Sequence, residues 1–123
     1  MSRTNNLRKI VQKKLKSICE NTYYEEASDE NMYPHIVFTI STINTGDITR
    51  ADYNIDIDVW DKTEDAKAIE EIADEIENAF NNKNEPQESI LPTFYLIDRK
   101  SIKDEDKKIR HRLIRVLAEN YER

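Results

Sequence analysis

Apolar positions along the chain gather into periodic blocks separated by polar, charge-rich stretches. Leu7, Ile10, Val11, Leu15 and Ile18 recur at spacings of three and four with Lys and Arg between them. That spacing predicts an amphipathic helix, capped by Thr4 or Asn5. Its apolar stripe has no bulky aromatic, so packing on a sheet fits better than lying on a membrane. Residues 20–34 have no apolar period and are expected to form a polar connection. After Pro34, the β-branched and aromatic run HIVFTIST reads as a strand. NTGD, residues 44–47, holds the only glycine and reads as a turn, and Arg50 to Trp60 as the return strand of a β-hairpin.

Within that return strand, YNIDIDVWD alternates strictly. Tyr53, Ile55, Ile57 and Val59 share one face, and Asn54, Asp56, Asp58 and Trp60 share the other. A second helix should follow, with Asp61 and Glu64 as a capping box and Thr63 as the alternative cap. Ile69, Ile72, Ala73, Ile76 and Phe80 make its apolar face, crowded by Glu70, Glu71, Asp74, Glu75 and Glu77. Residues 81–89 read as a loop, and 90–100 as a third long strand in which Pro92 marks an edge or a bulge. A charged connection, 101–108, leads to IRHRLIRVLAEN. Ile109, Leu113, Val116 and Leu117 of that segment fit a helix face, whereas Ile114, Val116 and Ala118 fit alternation. A strand is favoured because it would complete a second hairpin. The expected fold is one α+β domain over residues 1–123, helix–hairpin–helix–hairpin, with the helices on one face of a mainly antiparallel four-stranded sheet.

Composition narrows the picture. With 37% hydrophobic and 36% charged residues the core is thin, and oligomerisation is a reasonable way to hide further apolar surface. No apolar run approaches the roughly 20 residues that span a bilayer. The N-terminus carries charges throughout and lacks the apolar core of a signal peptide, so the cytoplasm is the expected compartment and no membrane partner is implied. One cysteine, Cys19, excludes an internal disulfide and a cysteine-rich zinc site, and it reads as a small buried residue. The net charge of −6 hides an asymmetry: +6 over residues 1–19, −16 over 20–98 and +4 over 99–123. The plain reading is complementarity within one fold; the sharper one is that subunits meet through opposite patches, or that one end touches an acidic partner. Tight binding of duplex DNA is disfavoured, since it needs a continuous basic surface.

Little in the chain suggests chemistry. A single glycine leaves no phosphate-cradling loop or dinucleotide fingerprint. His35 and His111 lie in expected strands as sheet-surface residues, and Ser41, Ser101 and Cys19 sit in no nucleophile motif. Asp56 and Asp58 share a strand face and, with a third ligand, could hold a magnesium ion, as a metal-dependent nuclease would require. The neighbouring helix is acidic, however, and Lys62, the nearest lysine, lies in the turn. The pair therefore reads as the wet face of a strand, and no catalytic, metal or cofactor residue is expected. Trp60, on the same face, is the residue expected at an interface, where tryptophan is enriched.

The order of the blocks resembles the tail-completion or tail-terminator proteins of long-tailed bacteriophages and prophages. The residues that carry the resemblance are YPHIVFTI, the turn, YNIDIDVWDKTEDAKAIEEIADEIENAF with its Ile72-Ala73-Asp74 core, and the Arg-rich RHRLIRVLAEN. It covers roughly residues 5–119. It implies a non-enzymatic structural subunit of the virion tail, assembled in the host cytoplasm. That subunit would form a ring, commonly a hexamer, that caps the tail tube and docks on the head connector. DNA would pass through the lumen unread, past an acidic wall that repels phosphate. Trp60, Asp56, Asp58, Arg110 and Arg112 are then the candidate assembly-contact residues. Another head–tail connector or adaptor of similar fold is the alternative, and a nuclease using Asp56 and Asp58 the more distant one.

Overall fold

The computed structural model describes residues 3–27, 32–43, 50–63, 65–81, 83–84 and 90–122. The elements run α1 (Arg3–Ile18), β1 (Thr22–Tyr24), β2 (His35–Ile43), β3 (Arg50–Lys62), α2 (Lys67–Phe80), β4 (Lys83–Asn84), β5 (Ile90–Ile102) and β6 (Ile109–Glu122). They form an α+β layer with both helices on one face of a sheet ordered β1-β2-β3-β6-β5-β4. The expected hairpins are present as β2–β3 and β5–β6, and β3 joins them by pairing antiparallel with β6.

Several expectations need correction. Among the described residues the sheet has six strands, because two short edge strands flank the four long ones. β1 lies within the expected connection 20–34 and pairs parallel with β2; β4 lies within the expected loop 81–89. The Thr22 hydroxyl, which donates to Cys19 O at 2.7 Å, ties β1 to the end of α1. The ambiguous last segment is a strand in the middle of the sheet, where alternation serves two neighbours at once. β5 runs on to Ile102, and its irregularity falls between Leu96 and Asp98 instead of at Pro92. Thr4 and Asn5 lie inside α1, which already begins at Arg3.

The capping box also fails. Asp61 stays in β3, opposite Arg110, and is buried, its Oδ1 accepting from Lys62 N at 2.8 Å. Helix α2 starts six residues later, after Ala66, which makes no side-chain cap; the Asp65 carboxylate instead accepts from Lys67 N at 3.0 Å. Glu64 lies outside the described residues, as does the NTGD turn.

The core follows the predicted faces. Leu7, Ile10, Val11 and Leu15 of α1 and Ile69, Ala73, Ile76 and Phe80 of α2 pack on Ile36, Phe38, Tyr53, Ile55, Ile57, Val59, Phe94, Ile114, Val116 and Ala118. Cys19 is buried among them, and burial foremost, with Asp61 and Glu20 nearby, pushes its thiol up. At the helix–helix seam, Lys14 Nζ donates to Ala79 O at 3.1 Å and lies 5.5 Å from the Phe80 ring centroid. No described helix is long and apolar enough to cross a membrane.

Candidate functional site

The sheet face turned away from the helices carries the residues singled out by the alternation. Register pairs His35 with Trp60 and Trp60 with His111, so strands β2, β3 and β6 set these rings side by side on that open face. Stacking follows: His35 and Trp60 have centroids 5.1 Å apart at 26°, and Trp60 and His111 4.3 Å apart at 21°. Tyr33 extends the row, 5.1 Å from His35. Trp60 is thus flanked on both sides by imidazoles.

Hydrogen bonds hold the row. Nε2 of His111 lies 2.7 Å from Asp58 Oδ1, and Nδ1 of His35 lies 3.0 Å from Met32 O. His35 is only 5% exposed, so the expectation of a surface histidine is wrong for it. Trp60 of β3 and Tyr33 and Met32 just before β2 enclose it, which alternation within β2 alone does not reveal.

Asp56 and Asp58 share the open face as expected, but they face different neighbours. Asp58 is engaged by His111, while Asp56 sits opposite Arg115, 3.8 Å from its Nε. Among the described residues no group of three His, Cys, Asp or Glu side chains converges in the manner of a metal site. Titration with Mg²⁺ or Mn²⁺ is expected to give no heat above dilution; a binding isotherm abolished by Asp58→Ala would revive the nuclease reading.

The two arginines grouped with Trp60 stand elsewhere. Arg110 pairs with Asp61 and Arg112 with Val59, which places both on the helix side of the sheet. Arg112 is tied inside the subunit: its Nε donates to Glu70 of α2, and its Nη1 donates to Ser101 Oγ at 2.9 Å. Arg99 of β5 meets the same helix, its Nη2 2.5 Å from Glu70 and its Nη1 2.7 Å from Asp74 and 3.4 Å from Glu77. The sequence places Glu70, Asp74 and Glu77 only as acids beside the apolar face of α2 and announces no partner for them. The only signal available was an acidic helix followed by an Arg-bearing strand pair.

Beside the aromatic row, the β5–β6 connection folds back on β3. Asp104 Oδ1 accepts from Asp106 N at 3.0 Å, Asp106 Oδ1 accepts from Lys108 N at 2.9 Å, and Thr63 N donates to Lys108 O at 3.0 Å. These short turns bring Asp104 to the border of a cleft whose lining includes His35 and Trp60. The residues after β1 approach from the other side, fixed by Glu25 N donating to Phe38 O at 2.9 Å. The arrangement offers an aromatic, acid-bordered contact surface, without a nucleophile–base pair or a convergent ligand set among the described residues.

Over residues 9–118 the sequence matches the family described as tail completion protein gp17. A chain of the solved virion of a native gene transfer agent particle is similar in fold, with a TM-score of 0.69 at 12% identity, covering 89% of this chain and 84% of that one. No curated protein matches the chain in sequence.

Proposed function

The chain belongs to the tail completion protein gp17 family, and we propose that it is the subunit of a ring that closes the tail tube and joins it to the head connector. It is a structural protein of a phage-type tail. The observation that carries the reading is the family match, which spans most of α1, all of α2 and nearly all of the four long strands. The fold shared with a chain of a gene transfer agent virion supports it.

The physical character of the subunit agrees with assembly. Among the described residues no helix lies on the second sheet face, and that face displays the Trp60 row. Trp60 and the carboxylates beside it are suited to contact a neighbour, whereas Arg112 serves the subunit's own helix–sheet packing. A closed cyclic ring, most simply a hexamer, uses one repeated heterologous contact. An acidic inner wall would let duplex DNA pass without being held.

Electron microscopy of the protein mixed with the tail-tube protein of the same virus tests this. Rings capping one end of the tubes are the expected image. Bare tube ends at saturating protein, with no binding in solution, would remove the reading.

A further inference from the structure

A cleft of about 360 Å³ on the open face is lined by the rings of Tyr33, His35 and Trp60 and by Glu25, Glu26 and Asp104, with Val37 and Ile109 between them. Because imidazoles stack on both sides of Trp60, the indole offers an edge and apolar wall to an occupant, not an open π face. Recognition therefore falls to the acidic residues. A long cationic side chain suits such a place: its methylene stem packs on apolar surface while its charged head reaches carboxylates. The volume, near the lower end of the roughly 300–1,000 Å³ of ligand pockets, admits a side chain and not a helix.

The same chain carries the complementary surface. Lys9, Lys13 and Lys16 recur at spacings of four and three and stand exposed on α1, opposite its buried stripe. Helix α1 packs on the core face of the sheet, whereas the cleft opens on the other face, so one molecule cannot bring the two together. Two copies can, and the contact is then between unlike patches, which closes into a ring when the rotation permits.

We propose that this cleft receives the lysine row of α1 from the next copy of the chain, a lysine stem lying against Trp60, Val37 and Ile109 with its ammonium among Glu25, Glu26 and Asp104. The proposal rests on the ring reading above and names its repeated contact. Being a contact between exposed charges at its border, it weakens as salt rises.

Charge reversal in trans tests it without touching the core. One variant carries Lys13→Glu and Lys16→Glu; the other carries Glu25→Lys and Glu26→Lys. All four positions are exposed. Each variant alone presents like charges at the contact and should form rings on tail tubes roughly tenfold or more less often than wild type. In the mixture, a ring that alternates the two variants has opposite charges at every contact, and the ring yield should return towards wild type. Trp60 is the only tryptophan, so its emission should shift on ring formation in wild type and in the mixture, and in neither variant alone. Rings formed equally well by each variant alone overturn this contact while leaving the ring reading intact. Loss in both variants without recovery on mixing, or a Trp60 shift caused by tube protein before any ring forms, also overturns it in favour of another occupant. Absence of rings with wild type removes the ring reading itself.

Discussion

Phe80→Ala is expected to lower the unfolding free energy by about 3–5 kcal/mol, the range for truncating a large buried aromatic. The side chain is fully buried at the C-terminal end of α2. Its ring meets Phe94 of β5 edge-on, with centroids 5.1 Å apart at 88°, the arrangement aromatic pairs favour. Lys14 of α1 lies near both rings, 5.5 Å from the centroid of Phe80 and 5.9 Å from that of Phe94. Both helices and the sheet therefore meet at one residue, and an alanine leaves a cavity that no single element can close. Domains of this size are stable by about 5–15 kcal/mol in total, so the loss is a large fraction. Urea unfolding followed by Trp60 emission should show a lower midpoint with an unchanged slope. A loss below about 1 kcal/mol would mean that the junction rearranges to fill the space.

The second large effect belongs to Glu70, which bridges Arg99 and Arg112 across the helix–sheet boundary. Burial tends to push its carboxyl up, but the hydrogen bond and charge of Arg112, with the charge of Arg99, hold it below the usual carboxylate range. A carboxylate depressed in the folded state stabilises fully above its unfolded pKa, and that stabilisation is lost as pH falls through the lower folded value. Stability should accordingly be flat near neutrality and decline below about pH 4. Glu70→Gln removes the charge that Arg99 and Arg112 face; their side chains are only 18% and 12% exposed. Since the Glu70 side chain is itself 43% exposed, water screens part of the interaction. The expected cost near neutral pH is therefore about 1–2 kcal/mol, less than for a fully buried pair. Denaturation at several pH values should show the gap between wild type and variant closing in acid. A gap that is the same at every pH would show that the ion pairs contribute nothing beyond the shape of the side chain.

The two substitutions differ in how legible they were. Phe80 was visible in the sequence, because Ile69, Ile72, Ala73, Ile76 and Phe80 share a helical face and the structure buries that face, Ile72 only in part. The Glu70 network was not, because Glu70 looks like any other acid on that helix until β5 and β6 bring arginines beneath it. The Trp60 site divides in the same way. Alternation placed Trp60, Asp56 and Asp58 on one face correctly, and the β2–β3 pairing expected of the first hairpin is present. His111 arrives through the β3–β6 pairing, between segments about fifty residues apart, and no local pattern announces it. The same pairing turns Arg110 and Arg112 to the helix side, away from Trp60.

Burial on one face is a local demand, written residue by residue as a period of two or of three to four. It settled the two helices, three of the four long strands and the core-facing residues they carry, whereas the last segment, ambiguous by period, reads as a strand because it completes a second hairpin. Which strand lies beside which is decided collectively, by the packing that covers the most apolar surface at once. That choice, made only in the folded chain, set Trp60 between two histidines, gave Glu70 its two arginines, kept Asp61 in a strand and put the lysine row and the acidic cleft on opposite sides of the sheet.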